Sequence, residues 1–114
     1  MSNVLYLNGE YLPRNEAKLS VDERGFFFGD GVYEVTRAVD GRLFESGRHM
    51  KRLARGLREL RLDPPLSLDE IEAVSLELLQ RNDITSGEGT VYLQITRGAA
   101  PRTHHFPPPG TPCT

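Results

Sequence analysis

The sequence predicts an α+β domain of two layers, in which an antiparallel or mixed sheet carries two helices on one face. Three observations predict this class: two pairs of short strand-like segments joined by turn residues, two amphipathic helical patterns after them, and an alternating segment after the helices. The 114 residues suffice for a single domain with a single core.

The chain begins with a predicted β-hairpin. Asn8-Gly9 lies between residues 4–7 and 10–12 and supplies the positive φ angles that a two-residue hairpin turn requires. Pro13 has no N–H to donate to a sheet, so the second strand should end there or lie at an edge.

A second hairpin is predicted by the run 32–39, which is rich in β-branched residues. Asp40-Gly41 then turns the chain into residues 42–44.

The first helix is predicted after Ser46, where apolar residues recur at spacings of three and four. Such spacing places them on one stripe that faces the core. The residues of the stripe are Met50, Leu53, Leu57 and Leu60. Asp63-Pro64-Pro65 should end this helix.

The second helix is predicted by a capping box, with Ser67 at the N-cap and Glu70 three residues on. The helix should end around Asn82. Its predicted buried face comprises Leu68, Ile71, Val74, Leu78 and Leu79.

A half-buried strand is predicted over residues 90–96, because apolar and polar residues alternate there. The regular pattern stops after Gly98, since five of the eight prolines lie between Pro101 and Pro112. Residues 98–114 are therefore predicted to be an irregular loop.

Composition excludes several classes of protein. A content of 38% hydrophobic and 26% charged residues is typical of folded globular domains. No apolar run approaches a membrane span and no signal-peptide pattern is present, so we expect a cytoplasmic protein without membrane contact. Cys113 is the only cysteine, which excludes an internal disulfide and a cysteine metal site. The net charge of -2 predicts no general attraction to nucleic acid.

The densest candidate motif covers residues 22–35. Gly29 and Gly31 flank Asp30 just before a strand, and strand alternation then places Tyr33 and Val35 on one face. On its own this pattern is more typical of a tight turn followed by a strand with a core tyrosine.

The first predicted helix is strongly basic, with six of the 14 Lys and Arg residues against one acid, Glu59. Most of these side chains should form a solvated face. Arg52 differs because it lies at the border of the apolar stripe, where a guanidinium can be half buried and can bind an anion.

Arg102 and His104 are two residues apart in the proline-rich segment, so their side chains share a face if the backbone is extended. A bidentate Arg with a His as second donor can bind a carboxylate. The alternative is an ordinary solvent-exposed loop.

Together these motifs resemble the N-terminal domain of the class IV (fold-type IV) pyridoxal-phosphate-dependent aminotransferases, and most closely the D-amino acid aminotransferase branch. The resemblance runs over nearly the whole chain. It rests on Asn8-Gly9 and on residues 22–25, 28–34, 49–53 and 96–106.

The resemblance implies a transfer of the amino group of a D-amino acid to a 2-keto acid with pyridoxal phosphate as cofactor. It implies that Tyr33 and Val35 line the substrate site and that Arg52 binds the cofactor phosphate. It further implies that Arg102 and His104 bind the substrate carboxylate, on a loop that reaches into the partner subunit of a homodimer.

The family's catalytic lysine is implied to lie in a following domain, beyond residue 114, because neither Lys18 nor Lys51 matches its position. We therefore expect the chain to be a truncated N-terminal portion, residues 1–114, which is inactive alone and lacks the C-terminal domain. Branched-chain aminotransferases and aminodeoxychorismate lyases share the earlier motifs, but the Arg-x-His pair favours the D-amino acid branch.

Two other classes remain as alternatives. A nucleic-acid-binding module could use the basic helix, although the net charge opposes it. A cofactor-free interaction domain is the stronger rival, because the chain alone has no catalytic lysine.

Overall fold

The computed structural model describes residues 3–114 and confirms the α+β class. Five strands, three helices and one 3₁₀ turn follow one another along these residues. They are β1 (Val4–Leu7), β2 (Glu10–Pro13), the 3₁₀ turn (Arg14–Glu16), α1 (Arg24–Phe28), β3 (Gly31–Val39), β4 (Arg42–Leu43), α2 (Ser46–Glu59), α3 (Leu68–Arg81) and β5 (Glu88–Thr96).

The strands form two sheets, and every pairing is antiparallel. β1 and β2 make a separate hairpin, whereas β4, β3 and β5 form a three-stranded sheet in that order. The end of α3 binds the edge of this hairpin: the Asn82 amide donates to the Val4 carbonyl at 2.9 Å and accepts from the Val4 N–H at 2.8 Å. A side chain at the end of α3 therefore satisfies backbone groups that a further strand would otherwise pair with.

Both hairpin turns have the predicted backbone geometry. Asn8 and Gly9 have φ angles of 48° and 94°, and Asp40 and Gly41 have 49° and 76°. Positive φ at both central residues matches the right-handed twist of the flanking strands.

Helices α2 and α3 pack on one face of the three-stranded sheet. On β3 that face carries Glu34, Thr36 and Ala38, all of which are buried. One core cluster joins α2 to Ile95 of β5, and a second joins Leu79 of α3 to the sheet. The opposite face is exposed over most of its length within the described residues, but at one end Thr96 is buried, and its hydroxyl donates to Glu23 Oε2 beside the start of α1.

The helices follow their predicted patterns with one shift. The capping box of α3 is present, with the Glu70 N–H donating to Ser67 Oγ and the Ser67 N–H donating to Glu70 Oε1, both at 3.1 Å. The buried line of α3 runs through Ile71, Ser75 and Leu79, so the predicted Val74 and Leu78 are only half buried. Ser75 can occupy the buried line because its hydroxyl donates to the Ile71 carbonyl at 2.8 Å.

One strand boundary and one short helix differ from the sequence prediction. β5 begins at Glu88 rather than residue 90, because β3 pairs with it over its whole length. The five-residue helix α1 was predicted as a turn, since five residues are too few to show a helical period. The side chain of Glu23 accepts from the Gly25 N–H at its start, and Gly29 ends it with a φ of 60°.

No helix within residues 3–114 combines the length and the apolar character that a membrane span requires.

Candidate functional site

Strand β3 presents Tyr33 and Val35 to solvent and Glu34 to the helices. Tyr33 is 64% exposed and Val35 42% exposed, so the interpretation of Tyr33 as a core residue is wrong. The Tyr33 ring stacks on Tyr92 of β5, with centroids 6.1 Å apart. The two candidate residues thus lie on the open face of the sheet, available to a ligand.

Glu34 is fully buried, and two side chains of α2 bind its carboxylate. Arg52 Nε donates to Oε1 at 2.6 Å and Arg52 Nη2 donates to Oε2 at 2.6 Å, which is the bidentate geometry. His49 Nδ1 lies 3.4 Å from Oε2. The hydrogen bonds from Arg52 are the main reason that the pKa of Glu34 is lowered, and Glu34 in turn raises the pKa of Arg52.

The guanidinium of Arg52 is oriented by Glu34 but remains open to solvent. Its side chain is 72% exposed, and Nη1 forms no hydrogen bond to any of residues 3–114. An oriented, exposed guanidinium with free N–H groups is suited to bind a phosphate or another anion.

The loop after β5 places Arg102 and His104 against the same aromatic ring. The Cζ atom of Arg102 lies 5.8 Å from the centroid of Phe28, and the His104 ring lies 5.7 Å from it. Arg102 also lies 5.7 Å from the ring of Phe27. Arg102 and His104 are both exposed, and we name this pair the carboxylate anchor for the role that we propose for it.

A buried ion cluster connects this loop to the sheet. Arg24 Nε and Arg97 Nε each donate to Asp30 Oδ2 at 2.8 Å. Burial raises the pKa of the Asp30 carboxyl, but the hydrogen bonds from Arg97 and Arg24 outweigh it and leave the pKa lowered. Sequence reasoning selected the segment around Asp30 but missed the two arginines, since charged residues near strand ends ordinarily predict solvent exposure.

Gly31, which follows Asp30, is required by a close approach of two backbones. A Cβ atom at this position would lie 2.6 Å from the Ile95 carbonyl oxygen of β5. The Gly-Asp-Gly motif therefore allows β3 to begin beside β5 while Asp30 turns inward.

The predicted site residues fall into three groups: Tyr33 with Val35, Arg52 with the Glu34 that binds it, and the carboxylate anchor. Within residues 3–114 no hydrogen bond, ion pair or ring stacking joins one group to another. Lys18 and Lys51 are exposed and form no ion pair in the same part of the chain.

Comparison with known proteins identifies the family. The model of a family described as amino-transferase class IV matches residues 31–113, which contain all three groups. The chain belongs to the class IV aminotransferases. The resemblance that the motifs indicate is thereby confirmed.

Among curated class IV relatives, the D-alanine aminotransferase of Staphylococcus haemolyticus is 46% identical over 105 residues, which cover 92% of this chain and 36% of the relative. The D-alanine aminotransferase of Bacillus licheniformis is 39% identical over 99 residues, covering 87% of this chain and 34% of the relative. The chain thus spans about a third of the length of the curated relatives that it matches.

Among solved structures, a branched-chain amino acid aminotransferase from T.th. in complex with N-(5'-phosphopyridoxyl)-L-glutamate superposes with a TM-score of 0.85. It is 26% identical, and the match covers 99% of this chain and 38% of that one. The fold of the class IV N-terminal domain is therefore shared by enzymes that differ in their named substrates.

Proposed function

We propose that this chain supplies the N-terminal part of a pyridoxal-phosphate-dependent aminotransferase that transfers the amino group of a D-amino acid to a 2-keto acid. The observation that carries this proposal is the carboxylate anchor, in which Arg102 and His104 lie 5.8 Å and 5.7 Å from the ring centroid of Phe28. Identity of 46% to a D-alanine aminotransferase supports the same substrate class.

The anchor would bind the substrate carboxylate through the fork of Arg102, with His104 as a second donor. A fixed carboxylate leaves an amino acid few orientations. The anchor therefore selects the enantiomer whose Cα–H bond points at the base. This chain would then decide which enantiomer is accepted as substrate, although the catalytic base would belong to another domain.

Arg52 would bind the phosphate of the cofactor. Glu34 occupies its Nε and Nη2 atoms and so fixes the plane of the guanidinium, while Nη1 stays available. When bound, pyridoxal phosphate supplies the electron withdrawal that transamination requires. Tyr33 and Val35 would line the substrate side, since both lie on the exposed face of β3.

The remaining parts of the proposal concern the whole protein. The lysine that binds the cofactor would belong to a C-terminal domain, because Lys18 and Lys51 have no acidic partner within residues 3–114. The carboxylate anchor would serve the site of the partner subunit in a homodimer, and the protein would be cytoplasmic. We use the term complete enzyme for this chain joined to such a lysine-bearing domain.

The complete enzyme should transfer the amino group of D-alanine to 2-oxoglutarate, and the purified 114-residue chain should not. The chain alone lacks the catalytic base, so it should also form no stable adduct with pyridoxal phosphate in an absorbance titration. L-leucine is the matched control substrate. A preference of the complete enzyme for L-leucine would replace the proposed substrate class with that of the branched-chain enzymes.

Replacing Arg52 by alanine in the complete enzyme should weaken cofactor binding by about tenfold or more, the range expected when a charge-assisted hydrogen bond is lost. The rate at saturating cofactor should change much less. Arg55→Ala is the matched control, because Arg55 lies one turn further along α2 and its hydrogen bond to Glu59 is exposed. Equal cofactor dissociation constants for the two variants would show that Arg52 does not bind the cofactor and belongs to the solvated basic face of α2.

A further inference from the structure

Arg24 holds the loop that carries the carboxylate anchor. Its side chain is 3% exposed and binds two acceptors in different segments. Arg24 Nε donates to Asp30 Oδ2 at 2.8 Å, and Arg24 Nη1 donates to the backbone carbonyl of Thr103 at 2.9 Å. Thr103 is the residue between Arg102 and His104, so this hydrogen bond acts at the centre of the anchor.

The ring of Phe28 forms the second part of this support. The Cζ atom of Arg24 lies 4.7 Å from the ring centroid, and Arg102 and His104 contact the same ring. A cation near an aromatic face is attracted by the ring's quadrupole. Arg24 therefore fixes both the backbone of the anchor and the ring against which its side chains lie.

Asp30 orients Arg24 and also binds a second arginine that contacts the loop. The same carboxylate oxygen accepts from Arg97, whose Cζ atom lies 3.7 Å from the centroid of Phe106. The loop between these two contacts has no helix or strand of its own. Side chains from α1 and Arg97 therefore hold this part of the loop, while backbone hydrogen bonds join the start of the loop, at residues 98–100, to residues 22–24.

We infer that Arg24, oriented by Asp30, is a positioning residue that pre-orders Arg102 and His104 for the substrate carboxylate. This inference rests on the proposed function. A loop that is ordered before binding does not have to lose conformational entropy when the substrate arrives, so affinity for carboxylate substrates is higher. The role inferred for Arg24 requires no contact with substrate or cofactor.

The chemistry requires arginine at this position. A guanidinium offers donors in several directions from one rigid plane, whereas a lysine offers a single nitrogen on a flexible stem. Arg24→Lys therefore keeps the positive charge beside Asp30 but cannot bind Asp30 and the Thr103 carbonyl with equal geometry.

In the complete enzyme, Arg24→Lys should raise the KM for D-alanine by about fivefold to tenfold, as expected for the loss of one buried hydrogen bond. The kcat should stay within about twofold, and kcat/KM for a simple primary amine should not change, because an amine does not use the anchor. Amide hydrogen exchange at residues 102–106 should become faster.

A double-mutant cycle separates positioning from a general loss of stability. If Arg24 acts through the anchor, Arg24→Lys should have no further effect on the ratio of acid to amine turnover once Arg102 is alanine. Leu79→Ala is the control for stability, since Leu79 packs with Ala38 and Val91 away from the loop. It should lower the unfolding midpoint and leave the ratio unchanged.

Phe28→Leu tests the same support in a variant that should fold readily, because the residue is 36% exposed. Like Arg24→Lys, it should lower the ratio of acid to amine turnover. If this ratio is unchanged in both variants but falls in Arg102→Ala, the inference about Arg24 is overturned and the proposed function is not. An unchanged ratio in Arg102→Ala would instead overturn the carboxylate anchor and with it the proposed function.

Discussion

Arg102→Ala in the complete enzyme should raise the KM for D-amino acids by about tenfold or more, the effect of losing charge-assisted hydrogen bonds to a carboxylate. Arg102 is the member of the anchor that we propose to bind the carboxylate bidentately, and no other arginine contacts Phe27 and Phe28 together within residues 3–114. Steady-state kinetics with D-alanine provides the measurement. His104→Ala should show a smaller rise, because an imidazole ring directs one N–H at a carboxylate whereas a guanidinium directs two.

Primary amines without a carboxylate are the control substrates. They do not use the anchor, so their kcat/KM should change little and the ratio of acid to amine turnover should fall. A parallel fall for both substrate classes would identify residues 101–105 as an ordinary surface loop.

The same variant tests the proposed homodimer. In mixed dimers of Arg102→Ala with a variant lacking the catalytic lysine, an anchor that acts across the interface places both defects in one site. The other site of such a dimer should then retain activity. Mixed dimers without an intact site would place the anchor in the subunit that carries the lysine.

Asp30→Asn should destabilise the folded protein by about 3–5 kcal/mol, because removing one partner of a buried ion pair leaves uncompensated charge. Two arginines lose their counter-ion together, and their side chains are only 3% and 9% exposed. Urea unfolding at neutral pH measures the loss. Asp22→Asn is the matched control, since Asp22 is an exposed acid in the same segment and should change the stability by far less.

The loss of stability caused by Asp30→Asn should also depend on pH. The pKa of Asp30 is lowered in the folded protein, so its carboxylate contributes stability above the ordinary value of about 3.8. That contribution is lost as the pH falls through the folded pKa. The difference in unfolding free energy between the parent and Asp30→Asn should therefore be full at pH 7 and should shrink below about pH 4. A difference that stays constant down to pH 2 would contradict the ion-pair explanation.

Local sequence was sufficient to predict most elements of the fold. Both hairpin turns, the capping box of α3 and the apolar stripe of α2 depend on residues within four positions of one another, and all are present. The candidate residues of β3 and α2 were predicted for a related reason, because alternation and helical spacing determine which side chains share a face. Helix α1 was missed since five residues are too few to show a period.

Sequence alone determined the class of the fold, the family and the candidate residues Tyr33, Arg52, Arg102 and His104, because these depend on local patterns and ordered motifs. Only the tertiary structure decided which faces are covered. Burial depends on partners that lie far away in the chain: Asp30 meets Arg97 across 67 positions, and Arg24 meets Thr103 across 79. A charged residue that sequence alone predicts to be solvated becomes part of an internal support when the fold brings its counter-ion within hydrogen-bonding distance.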